Sequence, residues 1–445
     1  MSEALEKMVV STARRFKSYP KYKDSGVEWL GNVPADWSVR RADHFLRYDK
    51  VQVDPEIFKS DIVFHYSIPS IQETGDGAYE NASEIDSAKL LIKGRRLLIS
   101  KLNPRKGVVL IAKEHDAPTV CSSEFISLEP KDCDLGFSFY LYASYTTRER
   151  LSAVVQSATR SHQRATPEDI TKMWHALPTP KEQRAIADFL DRETAKIDTL
   201  VAKKKRLIEL LHEKRTALIT RAVTKGLDPN VHMKESRVEW LGKIPASWKA
   251  MKIKRLCLVK RGASPRPIDD PIYFDDEGEY SWVRISDVTA SNKYLLQTEQ
   301  RLSFLGKSKS VPLEPGDLFV SIAATVGKPI VTKIKCCIHD GFVYFVSLKE
   351  NKEYLYYLFS TGEPYKGLGK LGTQLNLNTD TIGDIIIPIP PSAEQESIVR
   401  YLDEKTVQFD ALIAKISEGI ERLKEHRTAL ISAAVTGKID VREIA

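Results

Sequence analysis

The chain has 445 residues, of which 42% are hydrophobic and 29% are charged, a composition typical of water-soluble proteins with about two to four folded domains. No apolar stretch of about 18 residues occurs, and residues 1–17 lack the apolar core of a signal peptide, so we expect a cytoplasmic protein without a membrane span. Five dispersed cysteines without metal-site spacing indicate reduced, mostly buried thiols. The net charge of +7 is mild and favours a polyanionic partner only weakly.

Residues 1–20 are interpreted as a short basic arm, and a distinctive segment follows them. Lys23–Trp37 returns as Lys234–Trp248 at an offset of 211 residues, with ten of the fifteen residues identical. The paired tryptophans are interpreted as packing residues that cap a helix end, in preference to ligand contacts. Because a second repeat further along has an offset of 212 residues, the whole chain is predicted to be one long internal duplication.

A globular region follows each segment, and the two regions have diverged in sequence. Turn-and-strand patterns survive in both, as in Lys93–Ser100 and its counterpart Pro315–Ser321. Later runs have the pattern of further strands and a short helix. Each half is therefore predicted to contain a mixed α/β domain with a twisted sheet, and together with the segments we place these domains at 21–178 and 227–390.

Each half ends in a long helix, predicted at 179–226 and 391–438. In both copies, core positions recur with alternating steps of four and three residues over four heptads, which indicates a coiled-coil seam. Gly226 and Gly437 stand where the two patterns stop, as helix-terminating glycines do. At about 1.5 Å per residue, each helix would be roughly 65 Å long.

The connection between the first helix and the second domain is short and would barely span the length of a helix. We therefore predict that the helices pack antiparallel, with a pseudo-two-fold relation between the halves and a C-terminal tail, 439–445, that returns to the first domain. The predicted fold class is mixed α/β, with two α/β domains separated by two long antiparallel coiled-coil helices. One turn of B-DNA is about 34 Å, so domains held in this way suit two half-sites on one duplex.

Catalytic signatures are missing: the sequence contains no P-loop, no GxGxxG motif before a helix and no HExxH motif. Polar and basic loops remain. Arginine reads guanine, and glutamine or asparagine reads adenine, through paired hydrogen bonds, whereas lysine and hydroxyl groups bind phosphates. The DNA-binding candidates chosen on this ground are Arg95, Arg96, Lys101, Arg105, Arg160, His162, Gln163, Arg164, Arg261, Arg266, Lys370, Thr373, Gln374, Asn376 and Asn378. The alternative for each loop is an ordinary solvated surface.

Arg215 and Arg427 occupy seam positions in otherwise apolar heptads, where a buried arginine without a partner is unfavourable. Three arrangements remain open: the side chain extends to solvent, it meets an acid on the other helix, or it meets an acid on another protein. The surrounding Arg-Thr-Ala-Leu-Ile sequence is identical in both copies. Two equivalent surfaces favour two copies of one partner, so both arginines are partner-binding candidates.

Three features together resemble the DNA-specificity subunit of type I restriction–modification enzymes: the repeated Glu-Trp-Leu-Gly-x-x-Pro-x-x-Trp segment, the Pro-x-x-x-Gln-x-x-Ile entry at Pro391–Ile398, and the twin Arg-Thr-Ala-Leu-Ile motif. The resemblance covers nearly the whole chain. It implies two target-recognition domains that each read one half of a split, asymmetric DNA sequence. It also implies helices that fix the gap and dock two methyltransferase subunits. Arg47–Val51 of the first domain departs from the Arg261–Pro265 loop of the second, so the role of that loop is not carried across.

The resemblance further implies that the chain is non-catalytic and holds no cofactor or metal. S-adenosylmethionine for adenine methylation, and ATP with Mg for DNA cleavage by separate restriction/translocase subunits, are expected in the partners. Two other classes stay open, namely a protein-only adaptor with coiled-coil spacers and an enzyme with concealed motifs. Salt-dependent binding to a duplex with two half-sites separates a DNA reader from an adaptor. Methyl transfer or cleavage by the purified chain alone would establish an enzyme.

Overall fold

The computed structural model describes residues 9, 16–54, 57, 62–154, 164–366, 368 and 377–443. The chain forms two compact units. Unit 1 consists of Met1–Lys205 and Ile416–Ala445, and unit 2 consists of Arg206–Lys415. Each unit therefore contains one α/β domain, the first part of one long helix and the last part of the other.

Unit 1 has short strands and helices ahead of the first long helix. Its strands are Tyr22–Asp24, Asn32–Pro34, Ser38–Arg41, Leu46–Tyr48, Gln52–Val53, Ile62–Tyr66, Ala78–Asn81, Lys89–Leu91, Arg96–Ser100, Val109–Ala112, Thr119–Cys121, Phe125–Pro130 and Trp174–Leu177. Its α-helices are Ile68–Thr74, Leu135–Ala143, Tyr145–Val154 and Pro167–Thr171, followed by the start of Pro180–Lys225. Side-chain caps begin three of the short helices, because Ser67 accepts from the Ser70 N–H, Asp134 from the Phe137 N–H and Thr166 from the Asp169 N–H.

Two sheets form the α/β domain of unit 1. A four-stranded sheet is centred on Arg96–Ser100 and Phe125–Pro130, which pair antiparallel and are mostly buried. A five-stranded sheet contains Ile62–Tyr66 and Thr119–Cys121, which pair in parallel. Side chains from both sheets share one buried hydrophobic cluster, so apolar packing holds the sheets together.

Unit 2 repeats this plan. Its strands are Met233–Glu235, Lys243–Pro245, Lys249–Lys252, Leu258–Arg261, Tyr280–Val283, Tyr294–Leu295, Gln300–Leu302, Val311–Leu313, Leu318–Ser321, Pro329–Thr332, Cys336–Ile338, Phe342–Val346 and Ile386–Ile389. Its α-helices are Ile285–Ala290, Phe304–Ser308, Lys352–Ser360 and Thr379–Asp384, followed by the start of Ser392–Val435.

The strand orders of the two units correspond. The four-stranded sheet of unit 1 has the order Val109–Ala112, Arg96–Ser100, Phe125–Pro130 and Leu46–Tyr48. The matching strands of unit 2 have the order Pro329–Thr332, Leu318–Ser321, Phe342–Val346 and Leu258–Arg261. Tyr294–Leu295 adds an edge strand in unit 2. Two regions that have diverged in sequence therefore share one scaffold, which confirms the predicted duplication and the mixed α/β class.

The repeated tryptophan segments pack at helix ends, as predicted. Trp37 is buried, and its indole Nε1 donates a hydrogen bond to Glu182 Oε1 at 3.2 Å, near the start of the first long helix. Tyr19 Oη donates to the same carboxylate oxygen at 2.7 Å. Trp248 Nε1 donates to Glu394 Oε2 at 2.8 Å, near the start of the second long helix. The same indole–carboxylate bond is present in both units, which explains why tryptophan and glutamate recur together.

The glutamine that follows each of these glutamates joins its helix to the preceding domain. Gln183 Oε1 accepts the Asp134 N–H at 2.8 Å, and its Nε2 donates at 2.9 Å to the carbonyl oxygen five residues earlier. Gln395 makes the same two bonds, with the Asn351 N–H at 2.9 Å and the equivalent carbonyl at 3.0 Å. An amide side chain offers an acceptor and a donor, whereas the carboxylate of glutamate would only accept, and this accounts for the glutamine of the helix-entry motif.

The two long helices pack antiparallel in unit 1. Asp198 Oδ1 accepts from Arg427 Nε at 3.0 Å, and Lys204, further along the first helix, lies beside Gly419, earlier in the second. The predicted seam positions recur in alternating steps of four and three residues from Leu190 to Ala222 and from Leu402 to Ala434. All of them are buried or half-buried, whereas exposed residues fill most of the positions between them. The heptad pattern therefore predicted the packing face correctly.

The same orientation holds in unit 2. Arg215 Nε lies 3.6 Å from Asp410 Oδ1, and Gly226, just past the end of the first helix, lies beside Glu394, near the start of the second. Antiparallel packing is thus established separately within each unit, as predicted from the short connection between the first helix and the second domain.

Candidate nucleic-acid interface

Two of the first domain's candidate residues lie together beside Glu124. The Arg164 guanidinium is 2.6 Å from Glu124 Oε1, and Lys101 donates its backbone N–H to the Glu124 carbonyl oxygen at 2.9 Å. A backbone bridge between Leu102 and Arg164 fixes this arrangement. Burial, aided by the charge of Arg164, lowers the pKa of Lys101. Two cationic side chains around one carboxylate leave positive charge suited to a phosphate.

Arg95 and Arg96 are adjacent but have different surroundings. Arg95 is exposed in the turn before a strand. Arg96 lies inside that strand, is only 9% exposed, and pairs with Asp49 at 3.5 Å and with Glu129 at 3.2 Å. Because two carboxylates hold its guanidinium within the sheet, the placement of Arg96 argues against the predicted DNA contact. Arg95 stays a candidate.

In the second domain, the predicted loop Arg261–Arg266 packs around Asp340. Arg266 lies 3.1 Å from Asp340 Oδ2, Ser264 Oγ donates to Oδ1 at 3.0 Å, and Arg261 donates to the Asp340 carbonyl. Gly262 is required there, because a Cβ would lie 2.2 Å from the carbonyl oxygen of His339. Burial acts to raise the pKa of Asp340, but the Ser264 hydrogen bond and the two arginine charges together hold it below its ordinary value.

Of the remaining loop candidates, the structure fully describes only Asn378. Asn378 caps the helix Thr379–Asp384, because its Oδ1 accepts from the N–H groups of Asp380 at 2.9 Å and Thr381 at 2.8 Å. This structural role occupies the carbonyl that adenine recognition would need. The candidates Arg160, His162, Gln163, Lys370, Thr373, Gln374 and Asn376, together with the side chain of Arg105, lie outside the described residues and stay predictions.

The two arginines on the long helices each meet an acid on the other helix, which was one of the three open arrangements. Arg427 pairs with Asp198 in unit 1, and Arg215 pairs with Asp410 in unit 2. All four side chains are about a third exposed or more, so these are surface ion pairs that contribute little stability. Their part in binding another protein stays a prediction.

The identical Arg-Thr-Ala-Leu-Ile motifs do not present identical surfaces. In unit 1 Ala429 is fully buried within the main hydrophobic cluster, whereas its counterpart Ala217 in unit 2 is exposed. Tyr145, at the start of a unit 1 helix, also donates its backbone N–H to Ser432 Oγ at 3.2 Å, and Ser432 directly follows the motif. The expectation of two equivalent surfaces is therefore wrong for this face, because the domain of unit 1 covers its own copy.

Sequence reasoning missed a polar cleft of about 740 Å³ in the second domain, whose lining includes Trp282, Arg284, Gln300 and His339. These residues come from separate strands and turns, so no local motif marks them. Among the described residues, no group of three or more His, Cys, Asp or Glu is placed to hold a metal ion. In the same ranges, no helix is both long enough and apolar enough to span a membrane.

Fold and site together define a duplicated protein in which two α/β domains with unlike polar surfaces are each joined to an antiparallel helix pair. The family model for the type I restriction modification DNA specificity domain matches residues 54–210 and 245–422, which is most of the chain. The chain therefore belongs to the family of type I restriction–modification DNA-specificity proteins.

Relatives and solved structures match between 61% and 93% of this chain. The type I restriction enzyme MjaVIII specificity subunit of Methanocaldococcus jannaschii is 24% identical over 430 residues, covering 93% of this chain and 95% of that protein. The EcoDI specificity subunit of Escherichia coli is 21% identical over 61% of this chain and 63% of its own length. The HsdS subunit of Thermoanaerobacter tengcongensis has the same fold, with a TM-score of 0.52 and 19% identity over 92% of this chain and 98% of its own.

A second structural neighbour comes from work on complex assembly and conformational transition of the type I R-M system. It gives a TM-score of 0.73 at 18% identity and covers 91% of this chain and 98% of that one. At these identities the likeness concerns the fold.

Proposed function

We propose that the chain is the subunit that selects DNA sequence in a type I restriction–modification complex, with each α/β domain reading one half of a split, asymmetric site. One observation carries this proposal: equivalent sheets in the two units bear different polar groups. Unit 1 presents Lys101 and Arg164 around Glu124, and unit 2 presents Arg261 and Arg266 around Asp340. Two readers of unlike half-sites need a shared scaffold and divergent contacts.

We further propose that the long helices set the spacing between the half-sites. Each helix is continuous, over 46 and 44 residues, and each takes part in an antiparallel seam in both units. A paired helix resists bending more than a loop of the same length, so it suits the role of a spacer. Half-sites on one face of B-DNA are separated by about 34 Å or a multiple of it.

The helices are also the proposed docking surface for two methyltransferase subunits. Leu207 and Leu210 of the first long helix are exposed one turn apart in unit 2 and form an apolar face suited to contact with a partner. On this proposal the partners bring S-adenosylmethionine, and the restriction/translocase subunits bring ATP and Mg. The chain itself contributes recognition and no catalytic group.

The direct test is to co-express the chain with the methyltransferase subunit of its own system and to map methylated adenines across the host genome. The proposal predicts methylation at one bipartite motif with a constant number of unspecified bases between its halves. A contiguous motif, or methylation without sequence preference, would contradict it.

The protein-only adaptor is tested separately with the assembled complex and a duplex that carries the mapped site. A DNA reader binds this duplex with an affinity that falls steeply as salt rises, because phosphate contacts release counterions. An adaptor shows no binding even at low salt.

A further inference from the structure

The cleft in the second domain lies beside the paired strands Tyr280–Val283 and Gln300–Leu302. Its volume of about 740 Å³ is comparable to that of small-molecule binding sites. The floor includes Trp282, which is almost fully buried and packs against His339 at a ring-centroid distance of 5.9 Å. Trp282 and His339 therefore form a fixed platform for the polar groups around them.

Three side chains supply hydrogen-bond donors to this cleft. Arg284 donates to Gln300 Oε1, which turns the amide nitrogen of Gln300 away as a free donor. His339 Nδ1 accepts the Gly341 N–H at 2.8 Å, so the proton of the neutral ring lies on Nε2. Burial lowers the pKa of His339, which keeps the ring in this neutral form at physiological pH.

Carboxylates complete the lining. Asp269, Asp275 and Asp276 are exposed and offer acceptors only. Three negative charges repel a phosphate group, so the cleft suits base edges better than it suits the DNA backbone. In the major groove guanine presents two acceptors, N7 and O6, while its partner cytosine presents the N4 amino donor. A set of donors next to a set of acceptors matches that pair of edges.

The first domain does not have this set of donors. By strand register, His65 corresponds to Trp282 and Ala78 to Gln300, because each pair lies side by side on matching strands. Ser67, which directly precedes a helix as Arg284 does, replaces the arginine. The two domains thus differ chemically at one place on a common scaffold. Domains that read different DNA half-sites must differ at such a place.

We propose that this cleft contacts base edges of duplex DNA and that Arg284, Gln300 and His339 select a guanine–cytosine pair in the half-site read by the second domain. The inference rests on the proposed function and deepens it, since it names the base pair and the residues that read it.

The test uses the co-expressed complex with Arg284→Ala or Gln300→Ala and maps methylated adenines genome-wide. Each variant should accept other base pairs at one position of one half-site, with discrimination there reduced on the order of 10-fold or more. The other half-site and the spacer should stay unchanged. Arg255→Ala, which removes an exposed arginine elsewhere on the same domain, is the matched control and should leave the motif intact.

Arg284→Lys guards against a folding defect, because it keeps the positive charge and the aliphatic stem but loses the paired donor geometry. It should relax the same position. If the wild-type chain directs methylation to a bipartite motif while the Arg284 and Gln300 variants modify the same motif with unchanged discrimination, the cleft is not the reader. If the wild-type chain directs no bipartite methylation, the proposed function itself fails.

Discussion

His175 is a buried histidine surrounded by aromatic rings in unit 1. Its ring lies 6.0 Å from that of Trp29 and 5.1 Å from that of Tyr142, and neither ring nitrogen has a hydrogen-bond partner among the described residues. Burial lowers its pKa to about 3, so the folded chain holds the neutral ring. The corresponding strand position in unit 2 is the fully buried Ile387, so the scaffold accepts an aliphatic side chain there.

His175→Ile should make the free energy of unfolding less dependent on pH. In the unfolded chain the histidine takes up a proton below its ordinary pKa of 6.5, whereas in the folded chain it stays neutral down to about pH 3. Between pH 6.5 and about pH 3, protonation therefore stabilises only the unfolded state. Over this range the free energy of unfolding of the wild type falls by up to about 1.4 kcal/mol per pH unit as pH falls. Urea unfolding at neutral pH and near pH 5 measures this loss.

The exposed His212 on the first long helix supplies the control. His212→Gln should keep the wild-type pH dependence of unfolding. An isoleucine variant at 175 that lost stability with falling pH as steeply as the wild type would show that the buried histidine is not responsible.

The end of the second long helix depends on a glycine. Gly437 has a φ of 69°, and a Cβ added there would lie 2.5 Å from the ring of Pro34. Gly75, which ends the short helix Ile68–Thr74, has a φ of 82° and no atom within 4 Å of the same position. The two glycines share a left-handed backbone and differ only in the close neighbour.

Gly437→Ala should therefore destabilise the chain more than Gly75→Ala. The left-handed conformation costs a non-glycine residue about 1–2 kcal/mol at both positions, and only Gly437→Ala adds a collision with the tryptophan segment. Denaturant midpoints of the two variants measure the difference. Equal losses of stability would mean that the tryptophan segment moves aside without cost and does not fix the helix end.

The elements differ in how far the sequence could predict them. The long helices were predictable because their seven-residue period is a local pattern that occurs in both halves of the sequence. The cleft was not, because Arg284 and Gln300 are brought together by pairing between Tyr280–Val283 and Gln300–Leu302, which no local pattern announces. The surroundings of Arg96 were not predictable for a related reason: its acids, Asp49 and Glu129, are remote in the chain and meet it only in the folded sheet.

At the scale of the whole molecule, both chain ends belong to unit 1. The Asp440 N–H donates to the Lys17 carbonyl oxygen at 2.7 Å, and Lys17 Nζ lies 2.6 Å from Glu443 Oε2. The C-terminal tail therefore returns to the first domain, as expected. In unit 2 a continuous, exposed stretch after Gly226 connects the end of one long helix to the tryptophan segment. In unit 1 the same two elements lie together but come from opposite ends of the chain.

A circularly permuted chain should accordingly fold and direct methylation to the same motif. The permutant joins Glu443 to Phe16 by a short flexible linker and opens the exposed stretch between Asp228 and Pro229, where few contacts are lost. Co-expression and genome-wide methylation mapping give the readout. Opening the chain within the first long helix instead should abolish activity, and survival of that variant would contradict the role given to the helix.

The central claim is that the long helices set the distance between two readers of one split site. Deleting one heptad from each, at 202–208 and 417–423, keeps the seam in register and shortens both helices by about 10 Å, or roughly three base pairs of B-DNA. Methylation mapping should then show the two original half-sites with a spacer about three base pairs shorter. An active variant that keeps the wild-type spacer would contradict the account.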